Sequence, residues 1–542
     1  MKHLFSLTLL LLTPFVAVGQ VTRNAPVTID GKTQYVQLAE LTVTPQKLPV
    51  PALKYKLTWG FDQRVKNNAA IQYNFAMREL AQMRHRHLES ETRTFEEDYA
   101  RLFTDSEFFE EKKAEHFAFE EMLKNLSGDA PKNEHTLRFE ASLGYKPFAY
   151  SWHCSIPTHE FPVEEAREFV NRFRSVYRYL ETGSRCDHCD WEYHIRGNKN
   201  VIAVLLPEAQ ECRDLARGLM VKARFEIREK NYAEAIQTIR VGKTLARHAA
   251  EGCPFIVGAL IGIAIDSMMN ECLLELVQQP DAPNLYWTLT AMPNSPFSYY
   301  KALDVEMDFL RLVFPEVARA MDDPESMTEN DWKNMNNDLV KQLSFLVQSY
   351  SSLSADYGLP FEMLPFLNGL WGIAAYPKAK EWLASQGKTV EEIEAMPVAK
   401  VIGLWSIDRF EIFRDEYRKT VSLPSWQKRK FNADERWDEF ETITPLDAMV
   451  RRLFPAMSSF HQAISRLEAS GDVLRIVEAV RLYAAENDGR LPETLDAIES
   501  VPIPPVDPFT GKPYTYRIEN GRGVVEFDPG YGNIRRTEIQ FK

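Results

Sequence analysis

From Pro455 to Tyr483 apolar side chains return every three or four residues, at Met457, Phe460, Ile464, Leu467, Leu474, Val477 and Val480. This spacing lines them up along one stripe of a helix of about 30 residues, a rod about 45 Å long at 1.5 Å of rise per residue. A stripe of that length must be kept from water, so the rest of the chain has to supply partners along the whole rod. Ser470-Gly471 is the expected bend point.

The rod is predicted to stop at Asp488-Gly489, after which the sequence changes character. The prolines of "VPIPPVDPFTGKPYTYR" (501–517) hold the chain extended, and Thr510-Gly511 makes a tight turn. "YTYRI" (514–518) and "GVVEF" (523–527) have strand composition, with Glu519-Asn520-Gly521 as a hairpin turn between them and "TEIQF" (537–541) as a third strand. The long helix is therefore expected to end in a small antiparallel sheet packed on its last turns.

Upstream the chain reads as helix after helix. Phe169, Phe173, Val176 and Leu180 mark one helix over 163–180, and a helical pattern also runs from about 65 to 127, including "EFFEEKKAEHFAFEEMLKNL". Leu215, Leu219, Ala223 and Ile227 mark one helix face and Ala235, Ile239 and Ala246 another, joined by a link so short that the two helices must be antiparallel. Ala223, Tyr232, Ala235 and Gly242 fall where a tetratricopeptide repeat wants small residues and a tyrosine, a weak likeness limited to one repeat. Thr389 with Glu392 forms a capping box before a short helix. "CPFIVGALIGIAI" (253–265) ends at Asp266, too short to span a bilayer, and reads as a helix buried among others. The fold class is thus mainly α: a multi-helix body, then a long helix leading into a small C-terminal antiparallel β-sheet.

At the other end, Lys2 precedes an almost unbroken apolar run from Leu4 to Val18, and Ala17-Val18-Gly19 is a small-x-small cleavage pattern. That is the form of a secretory signal, with cleavage expected after Gly19 and a mature chain that is secreted or periplasmic. Residues 20–60, with Asp30-Gly31 and Pro45, Pro49 and Pro51, read as a hairpin or extended arm. The divisions expected are a signal (1–19), that arm (20–60), a helical region holding a Cys/His loop (61–200), a helical bundle (201–454), and the long helix with its sheet (455–542). The formal net charge of -13 is spread over mixed-sign helices and offers no basic stripe for nucleic acid.

Two resemblances follow from these stretches. "RLYAAENDGRLPETLDAI" with "VDPFTGKPYTYR" resembles the helix-to-sheet region of the major pseudopilins of type II secretion, over roughly the last 60 residues. That resemblance implies a long helix capped by a three-stranded sheet. It carries no pilus-assembly role, because the helix here begins at Pro455 and the acidic calcium loop is reduced to Asp528. More broadly, "PALKYKL", "CDWEYHIR", "REKNYAEAIQTIRVGKTLARH", "PDAPNLYWTLTAMP", "YPKAKEWLASQGKTVEEIEAMPVAKV" and "IVEAVRLYAAENDGRLPETLDAI" resemble a family of secreted planctomycete proteins without an assigned activity. This implies export and adds no catalytic residue.

The densest reactive cluster is "SRCDHCDWEYHIR" (184–196), with His153, Cys154 and His159 some way before it. Cys186, Cys189, His194 and Cys154 are the candidate metal ligands, since thiolates and imidazoles a few residues apart can meet at one tetrahedral zinc. A structural disulfide among Cys154, Cys186 and Cys189 is the plainer expectation for an exported chain with six cysteines. Cys212, Cys253 and Cys272 sit on apolar helical faces and read equally as buried thiols or bridged ones. No G-x-S-x-G, H-E-x-x-H, P-loop or dinucleotide glycine motif is present. The aromatics at 283–287, Trp371, Tyr376, Trp382, Trp405 and Trp426 suit either a carbohydrate groove or the core. These readings favour a non-enzymatic binding or scaffold module of the cell envelope with a protein partner, no integral membrane segment after cleavage and no cofactor. The alternative is an exported enzyme or zinc-binding protein centred on Cys186, Cys189 and His194.

Overall fold

The computed structural model describes residues 22–29, 32–85, 161–193, 207–293, 295–349, 364–421, 423–431, 441–453, 455–504, 506–528 and 534–542. The expected signal segment (1–19), the helix expected over 107–126 and the residues Cys154 and His194 lie outside them.

The chain opens with strands β1 (Thr22–Ile29) and β2 (Lys32–Val43), an antiparallel hairpin. A third short strand, β3 (Val65–Asn68), precedes a helix over 70–85, α1. The helical pattern expected from about 65 thus starts later. Asn68 Oδ1 accepts from the Ala70 backbone N–H (3.0 Å), a side-chain cap that leaves the residues before it free to pair as a strand.

Helices α2 (Val163–Ser184), α3 (Pro207–Arg228), α4 (Tyr232–Gly252) and α5 (Ile256–Val277) follow as an antiparallel stack. The α3–α4 link is closed by backbone bonds from Asn231 to the Glu226 carbonyl (2.8 Å) and from Lys230 to that of Ile227 (3.0 Å), with Lys230 at φ +61°. This double bond pattern terminates α3 and reverses the chain within three residues. Between α4 and α5 the backbones approach closely: a Cβ on Gly262 would lie 2.7 Å from the Ala246 carbonyl oxygen. Among the described residues α5 is the one helix long and apolar enough to cross a membrane, and 67% of its most apolar window is buried inside the protein. Its sequence is apolar all round because neighbours surround it.

A second group of helices, α6 (Tyr286–Thr290), α7 (Tyr300–Met307), α8 (Phe309–Val313), α9 (Pro315–Asp322) and α10 (Glu329–Ser349), leads to α11 (Leu364–Ser385), α12 (Val390–Glu394), α13 (Val398–Val421), α14 (Ser425–Lys430) and α15 (Pro445–Leu453). The capping box at α12 forms as expected, Glu392 N–H donating to Thr389 Oγ1 (3.2 Å) and Thr389 N–H to the Glu392 carboxylate (2.7 Å). The aromatics weighed for a groove are dispersed instead: Tyr286 and Trp287 in the core under the sheet, Trp371 in that of the second helical group, and Tyr376, Trp382 and Trp405 between α11 and α13.

The long helix α16 (Pro455–Glu486) forms over its full expected length. It is a spine shared by three cores, with Phe460 and Ile464 packed in the second helical group, Leu474 against the α3–α5 stack, and Ile476, Val477 and Val480 under the sheet.

Strands β5 (Thr515–Glu519), β6 (Arg522–Phe527) and β7 (Arg535–Phe541) form the expected antiparallel meander, with Asn520 and Gly521 both at positive φ in the turn. They are not alone. β2 adds in parallel to β7, giving one five-stranded sheet of order β1-β2-β7-β6-β5 in which both ends of the chain meet. Its inner face, with Leu41, Val43, Val525, Phe527 and Ile539, lies on α16. On the outer face Arg517, Arg522 and Arg536 pair with Glu40, Glu519, Glu526 and Glu538.

The "DPFTG" turn couples sheet to helices. Asp507 accepts from the Phe509 N–H and the Thr510 hydroxyl (both 2.9 Å), and its own carbonyl accepts from Gly511 N–H (2.8 Å). Gly511 sits at φ +67° under the Trp426 ring, where a Cβ would come within 2.6 Å of it. Phe509 is thereby held in the core, and the Tyr514 hydroxyl donates to Asp472 of α16 (2.8 Å).

The deepest polar knot is on α16. Arg481 and Glu478, both fully buried, pair at 2.8 Å. Arg481 also donates to the carbonyls of Ala282 (2.9 Å) and Thr44 (3.1 Å), while Glu478 accepts from Leu285 N–H (3.0 Å). Truncating one partner strands a buried charge, which costs about 3–5 kcal/mol. Arg481→Ala is expected to lose stability of that order in urea unfolding followed by circular dichroism, and the Glu478→Gln, Arg481→Met double variant to lose markedly less. Equal losses for the two would remove the pair from its structural role.

Candidate functional site

The Cys/His loop is built where α2 ends. Cys186 leaves the helix into strand β4 (Cys186–His188), which pairs in parallel with β3. Two asparagines of β3 hold the loop. Asn68 donates through Nδ2 to the Asp190 carbonyl (2.8 Å) and accepts the Asp190 N–H (2.9 Å), and Asn67 N–H donates to the Asp187 carboxylate (3.2 Å). Asp190 in turn accepts from Glu192 N–H (2.9 Å), which holds Glu192 at φ +57°. The segment 191–193, which has strand composition, is therefore irregular, and the strand is Cys186–His188 instead.

Beneath the loop lies a buried polar contact. Tyr73 of α1 and His248 of α4 meet at 2.8 Å between Oη and Nδ1, and Arg247 Nη2 stands 2.9 Å from His248 Nε2. A guanidinium can only donate, so Nε2 is the acceptor and the proton of the neutral ring is assigned to Nδ1, which donates to the tyrosine oxygen. Burial, with Arg247 next in size, holds the imidazole well below its ordinary pKa. Burial likewise pushes the Tyr73 hydroxyl up. Neither group is poised to trade a proton near neutral pH.

Cys186 and Cys189 are brought to this spot, together with Cys212 from α3 and, beyond it, Cys253 from the α4–α5 turn. The helical cysteines carried no local signal of that meeting; their apolar faces gave the burial but not the neighbours. All four thiols are pushed up by burial, Cys253 to about 12. Zinc ligation and nucleophilic attack both need the thiolate, which this apolar setting disfavours.

The expected disulfide does not form between Cys186 and Cys189. Both are free, as are Cys212, Cys253 and Cys272, and among the described residues no disulfide is present. Cys186 Sγ is turned back toward the Thr182 carbonyl of α2 (3.8 Å), and the thiols fill core space as small apolar groups. Cys154 and His194, the other proposed metal ligands, lie outside the described residues, and among those described no group of three or more His, Cys, Asp or Glu is arranged to hold a metal ion.

The solvent side of the loop carries Asp187 and His188, joined at 2.7 Å. The bond to His188 holds the Asp187 carboxyl below its usual range. This exposed pair orients an imidazole, with no second reactive group joined to it among the hydrogen bonds of the described loop.

Comparison with family models, with curated proteins and with solved structures finds no match in any of the three.

The packing above the thiols is tight: a Cβ on Gly252 would lie 2.8 Å from the Cys189 carbonyl oxygen and 3.2 Å from the Trp191 ring. In the native protein the five buried thiols are expected to resist an aromatic disulfide reagent until denaturant is added. Gly252→Ala is expected to cost about 1–3 kcal/mol by overpacking and to speed native labelling of Cys189, read by peptide mass spectrometry. Immediate labelling of Cys189 in the unmodified protein would contradict the burial.

Proposed function

We propose that this protein is an exported helical scaffold or binding module of the cell envelope, acting through a protein partner and not as an enzyme. One observation carries the reading: the reactive side chains gathered beneath the Cys/His loop are spent on internal contacts, as neutral imidazole, protonated tyrosine and buried thiols. Export rests on the signal-like segment ending at Gly19. The pseudopilin likeness enters as shape alone, a long helix capped by a sheet. The rival reading, a zinc protein or enzyme centred on Cys186, Cys189 and His194, would need thiolates in a place where burial opposes them.

Cell fractionation followed by intact-mass analysis is expected to find the chain outside the cytoplasm with Gln20 at its N-terminus. Cross-linking in intact cells is expected to join it to a discrete envelope protein. Retention in the cytoplasm would overturn the export half of the proposal. A purified protein that stays uncross-linked in cells and turns over an envelope substrate would overturn the scaffold half.

A further inference from the structure

Trp59 stands in the chain just before β3, only 5% exposed and packed in the same core as the α2–α5 stack. Two guanidiniums lie on its ring. The Cζ of Arg185, the residue that ends α2, is 4.7 Å from the ring centroid, and that of Arg240 in α4 is 3.9 Å from it. A third arginine, Arg64, follows the single turn Phe61–Gln63 and donates through Nε to the Trp59 carbonyl (3.1 Å). The elements that carry these groups are tied to one another. Val65 N–H of β3 donates to the Arg185 carbonyl (2.8 Å), and Arg185 of α2 and Gln237 of α4 both donate to Oε1 of Glu181 (2.9 and 3.3 Å).

Donors outnumber acceptors at this spot. Glu181 is shared between Arg185 and Gln237, while Arg64 and Arg240 make no ion pair among the described residues, and the exposed Asp62 of the same turn pairs with none of the three arginines. The indole Nε1 of Trp59 and the Nε of Arg240 are both buried without a hydrogen-bond partner. A buried N–H that has given up water without gaining an acceptor is unfavourable, and two of them in contact through one ring ask for an acceptor in common. Arg64 is exposed and Arg185 and Arg240 are half-buried, so the guanidiniums reach solvent while the ring beneath them does not.

We propose that Arg64, Arg185 and Arg240, gathered on Trp59, bind an oxyanion, the phosphate or carboxylate group of a small ligand. The attraction of a ring face fixes a guanidinium in place but gives its N–H groups no acceptor. An oxyanion accepts two N–H groups from one fork and others from its neighbours, which answers donors that the protein itself leaves open and relieves the repulsion among three like charges. With the tryptophan already holding the guanidiniums, little side-chain freedom is left to lose when the ligand arrives. The site needs neither export nor a protein partner, so it goes beyond the scaffold reading and stands or falls apart from it.

Thermal unfolding of the full-length protein tests it, with inorganic phosphate and succinate titrated separately against chloride at matched ionic strength. Wild type is expected to melt at higher temperature as the bound anion rises, along a logarithmic dependence above the dissociation constant; the anion that acts at lower concentration tells a phosphate ligand from a carboxylate one. Arg64→Gln and Arg240→Gln are each expected to raise the concentration needed at least tenfold. Lys512→Gln, which removes an exposed charge from the "DPFTG" turn region, is expected to leave it unchanged. A wild type that responds to neither anion beyond chloride would overturn the proposal. So would a response kept intact by either folded arginine variant, or one weakened as much by Lys512→Gln. Should Arg240→Gln fail to fold, Arg64→Gln decides, since that side chain is exposed and its loss removes one bond to a carbonyl.

Discussion

The buried Glu478–Arg481 pair is where the architecture is decided. A salt bridge with neither partner exposed gains little over an apolar pair of the same volume, because both ions must first be desolvated. What it supplies here is position. Arg481 reaches two carbonyls that belong to different parts of the chain, Ala282 in the loop after α5 and Thr44 at the end of β2, and Gln46 N–H closes back on the Arg481 carbonyl (3.0 Å). Asn284, from the same loop as Ala282, adds to the knot by donating to the Glu478 carbonyl (2.9 Å). The central helix stack, the N-terminal hairpin and the long helix therefore meet at one set of donors and acceptors that no apolar substitute could register.

That registration explains which parts of the fold were legible in the sequence. The long helix, the α3–α4 hairpin, the capping box at Thr389 and the three-stranded meander each announce themselves through neighbours a few residues apart, as periodicity, turn residues or a cap. The pairing of β2 with β7 does not: Gln540 reaches Thr42 across 498 residues of sequence, and a hairpin that could equally have been a loose arm becomes sheet only when the C-terminal strands exist to receive it. The same holds for β3 with β4, two very short strands whose pairing depends on the Asn68 clasp on Asp190 and on no composition of their own.

The candidate site shows the limit from the chemical side. Cysteine and histidine spacing near 186 suggested ligands or a bridge, and spacing describes reach while leaving surroundings out. Tyr73 and His248 arrive from helices that gave no sign of meeting, and Cys212 and Cys253 arrive with them. Once assembled, burial sets the protonation states: it pushes the thiols up by more than Arg247 beside Cys189, or the Phe255 and Gly258 N–H groups at Cys253, can offset. A motif that would be reactive at a surface is packing material in this core.

Burial does not treat all polar groups in this protein alike, and the difference lies in what each was given in exchange for water. His248 is neutral and needs only its two ring contacts. Glu478 and Arg481 have each other and several backbone partners. Lys243 of α4 is similarly met by Asp266 (3.0 Å) and Asn270 (2.8 Å).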